Sequence, residues 1–130
     1  MRKAAIDTCV LIDLFDGISR ASKAISAFDR ILVPIEVIGE YRTGIDPATK
    51  RGRLQEERLA EFLADEAVSV VDATEETAGC YARLFRALLE KGKPLPTNDV
   101  WIAAAAICNG AALLTSDSHF REIPILELPY

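Results

Sequence analysis

Short apolar runs alternating with helix-forming stretches constrain this chain more than any other feature. Lys3 to Ile6, Ile31 to Val33, Val68 to Val71, Ala112 to Thr115 and Ile125 to Leu128 each have the length of a short strand. The stretches between them carry helical signals. Thr8 to Phe15 is closed by Asp16-Gly17, and Ser19 to Arg30 places Ile18, Ala21, Ile25 and Phe28 at helical spacing. Pro34 closes the second strand and suits the first turn of a helix running to about Thr43. Gly44 to Gly52 is polar, contains Pro47 and reads as a loop. Arg53 to Asp65 is amphipathic through Leu54, Leu59, Phe62 and Leu63, and Thr74 opens a long helix toward Lys91 that Gly92 stops. After the loop KPLPTN, Asn98 reads as the N-cap of a helix starting at Asp99. That helix is apolar nearly all round, which predicts burial, and Asn109-Gly110 ends it. Strands alternating with helices predict a single domain over residues 1–130: a three-layer α/β/α fold with a mainly parallel central sheet.

The bulk properties narrow the function. A chain of 130 residues is long enough for one well-buried core. Its net charge of −5 argues against a surface that grips nucleic acid throughout, yet leaves room for acidic residues that hold a divalent cation. The apolar run from Val100 to Cys108 is too short to span a bilayer, and no signal-peptide pattern follows Arg2 and Lys3. A cytoplasmic location with no membrane association is therefore expected. Cys9, Cys80 and Cys108 form no CxxC pair and His119 is the lone histidine, so neither a disulfide framework nor a thiolate–imidazole zinc site is expected.

Attention then falls on the carboxylates. Asp7 ends the first predicted strand and Asp117 follows the fourth. Asp99 lies in the first turn of the buried helix, and Glu40 on the helix after strand two. Open α/β sheets bind ligands beyond the carboxyl ends of their strands, near the switch in strand order. Singly, each Asp suits a helix cap and Glu40 suits a solvated surface. Gathered together they would repel one another, a conflict that a hard divalent cation resolves. Spacing alone leaves the convergence open, and it does not separate Glu40 from Glu36, one turn earlier on roughly the same face.

The pattern resembles the PIN domain, in particular the bacterial VapC-type toxins of toxin–antitoxin pairs. The resemblance rests on Ile6-Asp7-Thr8-Cys9-Val10-Leu11-Ile12-Asp13, on Val37-Ile38-Gly39-Glu40-Tyr41 with Gly44 behind it, on Thr97-Asn98-Asp99-Val100-Trp101-Ile102-Ala103-Ala104, and on Gly110 to Asp117 with Phe120. It implies that Asp7, Glu40, Asp99 and Asp117 bind Mg²⁺ or Mn²⁺ and cut RNA by phosphodiester hydrolysis, leaving 5′-phosphate and 3′-hydroxyl ends. Glu40, not Glu36, has the family spacing to Gly44. Thr8 and Thr115 match hydroxyl positions flanking the site, and Asn98 matches a polar residue beside the third acid. Cys9 departs from the Asn or Ser often found there. The resemblance further implies a homodimer and a small VapB-like antitoxin lying across apolar surface and the active-site groove. The helices from Arg53 and Thr74 are candidates to line that groove.

Arg42, Lys50, Arg51 and Arg53 form the densest basic stretch, a candidate phosphate-positioning lip for RNA, with Lys91 and Lys93 as further candidates. No general-base role is needed for His119, since metal-activated water requires no imidazole. Asp13 is expected to face water. Two rival chemistries fit poorly. An aspartyl phosphotransferase of the haloacid-dehalogenase kind needs an acid two residues after Asp7, where Cys9 stands, and the acidic pair of a receiver domain is missing. A catalytically silent RNA-binding or scaffold module is the remaining alternative.

Overall fold

The computed structural model describes residues 1–124 and 126–130. Among these residues the sheet has four parallel strands in the order β3-β2-β1-β4: β1 (Lys3–Ile6), β2 (Arg30–Pro34), β3 (Val68–Val71) and β4 (Ala112–Leu114). The helices that connect and cover them are α1 (Thr8–Phe15), α2 (Ser19–Ser26), α3 (Ile35–Thr43), α4 (Lys50–Leu63), α5 (Glu75–Glu90) and α6 (Thr97–Cys108). A 3-10 turn spans Ser118–Glu122. This is the α/β/α layering that the alternation predicts. No helix among the described residues is long and apolar enough to cross a membrane.

The strand order sets where a ligand can enter. The chain steps from β1 outward through β2 to β3, then crosses back to place β4 on the other flank of β1. The direction of winding therefore switches between β1 and β4, and the carboxyl ends of those strands are where an open α/β sheet binds ligands. Ile6 pairs with Leu114, so Asp7 and Thr115 are the next residues across that gap.

Packing explains why α6 can reach this edge. Val100, Ile102, Ala103, Ala104 and Ala106 are fully buried, as are Ala4, Ala5 and Ile6 of β1. Alanine on both surfaces lets helix and sheet backbones approach closely, so the run is a packing device and not a weak core. Phe15 meets Tyr41 and Phe62 edge to face, with ring centroids 5.5 and 5.9 Å apart. Those contacts tie α1, α3 and α4 together.

Several boundaries differ from expectation for local reasons. α2 stops at Ser26 because Arg30 is drawn into β2 opposite Lys3, where its guanidinium also donates to the Glu66 carbonyl and to Ser69. α4 begins at Lys50, inside the stretch expected to be a loop: Thr49 caps it by accepting from the Gly52 N–H at 2.9 Å. Gly52 is required there, since a Cβ would lie 1.8 Å from the Asp46 carbonyl oxygen. Asn98 is not the N-cap of α6. The helix starts at Thr97, two residues earlier than expected, and the Pro96 carbonyl accepts its first bond, from Val100, at 3.2 Å. Of the expected fifth strand, Ile125 lies outside the described residues. Residues 126–128 form no strand, although the Glu127 carbonyl accepts from the Leu113 N–H at 2.9 Å.

The contrast between two helical glycines is testable by urea denaturation. Gly52→Ala drives a methyl group into backbone and is expected to cost about 1–3 kcal/mol. Gly39→Ala meets nothing within 4 Å and is expected to stabilise by about 0.5–1 kcal/mol.

Candidate metal centre

Asp7 is the most enclosed of the candidate acids, at 7% exposure. It caps α1: Oδ1 accepts from the Thr8 N–H at 2.8 Å, while Oδ2 accepts from the Thr115 hydroxyl at 2.7 Å. The buried carboxylate is thus satisfied by one bond from its own helix and one from across the β1–β4 edge. Thr115 is used twice, because its Oγ1 also accepts from the Asp117 N–H at 3.0 Å. One hydroxyl therefore sets the positions of two acids. The capping role and membership of the acidic cluster coexist in Asp7.

Glu40 projects from α3 and accepts from the Thr8 hydroxyl at 2.8 Å. Asp117 caps the 3-10 turn, accepting from the His119 N–H at 2.9 Å, and the His119 ring Nδ1 lies 3.1 Å from the same oxygen. Asp99 arrives from the first turn of α6. Asp99, Asp117 and His119 can each offer a donor atom within 4.8 Å of the others. Asp7 and Glu40 lie outside that tightest group, yet their charges act on Asp99. Burial, followed by the negative charges of Asp7, Asp117 and Glu40, pushes the Asp99 pKa up to about 6, with His119 opposing the rise. The structure therefore places all four candidate acids near enough for Asp7, Glu40 and Asp117 to act on Asp99, while the donor atoms of Asp99, Asp117 and His119 lie within 4.8 Å of one another. Glu36 sits one turn earlier on α3 and exerts no comparable effect on Asp99.

Among the described residues, no Lys or Arg forms an ion pair with any of the four acids. Carboxylate oxygens grouped without a basic partner are the donor set that suits Mg²⁺ or Mn²⁺. Asn98 is half-buried in the first turn of α6 beside Asp99. Cys9 has a polar setting after all: its Sγ lies 3.7 Å from both Asp7 Oδ2 and Thr115 Oγ1, and accepts from the Ser116 N–H at 3.4 Å. Asp13, expected to face water, is half-buried and accepts from the Tyr130 hydroxyl at 2.7 Å.

A cleft of about 480 Å³ runs from Thr8 and Glu40 along α4, with Ile12, Leu54, Arg51 and Arg58 in its walls. Of the expected basic lip, Arg51 alone lines this cleft. Arg42 is paired with Glu56 at 3.1 Å, Arg53 donates to the Ala48 carbonyl at 3.3 Å, and Lys50 opens α4 in full exposure. Arg58 falls outside the basic stretch that the sequence marks. It lies two turns beyond Arg51 on α4, and that helical offset is the signal that would have found it. Lys91 is engaged with Glu122, whereas Lys93 borders a recess shared with His119. α5 does not wall the main cleft; its Leu84, Ala87 and Leu88 border a separate apolar groove.

The raised Asp99 pKa fixes the sign of a stability effect. Between about pH 4 and pH 6 the folded state binds a proton that the unfolded state has released. Stability therefore falls as pH rises through that window, and the penalty is complete above about pH 6. Asp99→Asn is expected to raise the melting temperature of the EDTA-treated protein at pH 7.5 by about 3–6 °C, a figure reduced for the partial contact of Asp99 with water. The gain should vanish below about pH 4. Thermal melts across this range, with and without EDTA, check both statements.

Comparison with known proteins identifies the family. The PIN domain family matches residues 4–126. The chain is 32% identical over 96 residues to Ribonuclease VapC5 of Mycobacterium tuberculosis, covering 73% of this chain and 70% of that protein. Its fold superposes on VapBC-5 of Mycobacterium tuberculosis with a TM-score of 0.73 at 27% identity, covering 98% of this chain and 94% of the other. VapBC2 of Rickettsia felis, solved with a promoter DNA fragment, gives a TM-score of 0.83 at 22% identity, covering 97% and 96% of the two chains. With a family match over nearly its whole length, the chain belongs to the PIN domain family.

Proposed function

We propose that the chain is a cytoplasmic, metal-dependent endoribonuclease acting as the toxin of a VapBC-type pair. The observation that supports this reading is the placement of Asp7, Glu40, Asp99 and Asp117 near one sheet edge with no Lys or Arg ion-paired to them among the described residues. Similarity to a protein named as a VapC ribonuclease supports RNA as the substrate. Asp7, Glu40, Asp99 and Asp117 would hold Mg²⁺ or Mn²⁺, which supplies Lewis-acid activation of the phosphodiester and of the attacking water. The protein's part is positional. Thr115 and the Thr8 amide fix the Asp7 carboxylate, and the Thr8 hydroxyl fixes Glu40. Asn98 lies beside Asp99, where it can orient that acid or the substrate. Hydrolysis then leaves 5′-phosphate and 3′-hydroxyl ends.

The cleft suits two occupants in turn. Arg51 and Arg58 provide cationic walls for an RNA backbone, while exposed Ile12 and Leu54 offer apolar footing to a VapB-like antitoxin segment. A basic side chain on that segment would complement Glu40 and the acids behind it. The solved relative from Mycobacterium tuberculosis belongs to a toxin–antitoxin family, which supports this partner. The working unit is a homodimer, checked by light scattering on the purified chain.

Single-turnover RNA cleavage tests the chemistry. Asp7→Asn, Asp99→Asn and Asp117→Asn are each expected to slow cleavage by more than about a hundredfold, beyond the cost of losing a residue that merely orients a ligand. EDTA should abolish activity and Mn²⁺ restore it. RNA binding without cleavage, indifferent to EDTA, would instead identify a silent binding module. For the cleft, Arg51→Glu with Arg58→Glu should weaken RNA binding and reduce its salt slope by about one for each phosphate that the two arginines neutralise. Unchanged affinity and slope would remove both residues from the substrate path.

A further inference from the structure

The tightest group of donor atoms at the β1–β4 edge includes a nitrogen, and carboxylates alone do not account for it. We propose that His119 is itself a ligand of the cation held by Asp99 and Asp117, and that its nitrogen biases the site toward borderline ions such as Mn²⁺ or Zn²⁺ over Mg²⁺. The inference rests on the metal-dependent reading of the same centre and adds a ligand to the acids that reading invokes.

Three observations support it. The donor atoms of Asp99, Asp117 and His119 all fall within 4.8 Å of one another, a span that a single ion can bridge after small side-chain adjustments. His119 Nδ1 lies 3.1 Å from Asp117 Oδ1. Two donors bound to one ion at about 2.0–2.1 Å are separated by about 2.9 Å at a right angle and about 3.3 Å at a tetrahedral angle. The observed separation falls between these edges. Finally, the local backbone holds the pair together: Asp117 caps the 3-10 turn through the His119 N–H, so acid and imidazole are carried on one rigid unit.

The energetics permit the exchange. The His119 side chain is 65% exposed, so turning its nitrogen toward an ion desolvates little. The same 3.1 Å separation also suits an Nδ1–H donating to Asp117, in which case the ring orients the acid without touching the ion. The two arrangements differ in one measurable respect, whether nitrogen is bonded to the metal. Imidazole suits transition ions, whereas Mg²⁺ prefers an all-oxygen octahedron.

The chain contains one histidine, which makes the test unambiguous in untagged protein. Electron spin-echo modulation of the Mn²⁺-loaded full chain is expected to show the nitrogen coupling of a directly bound imidazole, and His119→Ala should abolish it. Calorimetric titration with Mn²⁺ and with Zn²⁺ should show affinity falling by about tenfold or more in His119→Ala, with Mg²⁺ affinity changing far less. Circular dichroism confirms that the variant remains folded. Mn²⁺ bound at a site that Asp99→Asn destroys, but without directly bound nitrogen, overturns the His119 proposal and leaves the carboxylate reading standing. Nitrogen coupling that persists in His119→Ala also overturns it. Absence of any Mn²⁺ binding by the wild-type chain overturns both.

Discussion

A hydroxyl-to-carboxylate bond across the β1–β4 edge is the interaction on which the rest of the site depends. Thr115 donates to Asp7 and accepts from the Asp117 backbone, so one small side chain couples the ends of two strands. A carboxylate at 7% exposure is costly to keep charged unless its lone pairs are met. The Thr8 amide and the Thr115 hydroxyl meet them. Asp7 thereby stays fixed where the sheet changes winding direction, and the turn carrying Asp117 starts from the same point. Glu40 joins through Thr8, and Asp99 arrives on a helix whose alanines let it approach β1. The electrostatic strain registered at Asp99 is the result of this assembly.

The strain has a purpose that packing alone would not supply. A stable domain gains nothing from bringing like charges together at a sheet edge, and neutral caps would serve α1 and the 3-10 turn as well. Repulsion of this kind is tolerated where a ligand of opposite charge compensates it. Membership of the PIN domain family rests on the match over residues 4–126, and the placement of the acids on the structure alone.

Much of this was legible in the residues, for identifiable physical reasons. The apolar runs mark β1 to β3 to within a residue or two, because buried strands and polar turns have opposite compositions. Asp7 and Asp117 can be read as strand-end acids on the same grounds. Other features depend on partners far apart in sequence. Gly52 reads as a loop breaker, yet it serves α4 by admitting the Asp46 carbonyl against its first turn. Asn98 has the chemistry of a cap, but the Pro96 carbonyl takes the first helical bond and moves the start of α6. Arg58 is hidden because the polar face of an amphipathic helix does not announce which part borders a cleft. Cys9, a departure from the family pattern, touches both Asp7 and Thr115, the latter a partner more than a hundred residues away.

That sequence separation bears on when the centre comes into being. β1 precedes β4 by more than a hundred residues, so its β4 flank stays unpaired until the chain has been extended through Leu114. During ribosomal synthesis the early strands and helices can collapse while this edge remains open, because long-range parallel pairing forms slowly and only after its partner exists. Thr115 and Asp117 then arrive together, joined by the bond from the Asp117 N–H to the Thr115 hydroxyl. Until then Asp7 can have Glu40 nearby through Thr8 but lacks Thr115 and Asp117. Strand order thus makes the Asp7–Thr115 bond wait on a segment more than a hundred residues later in the chain.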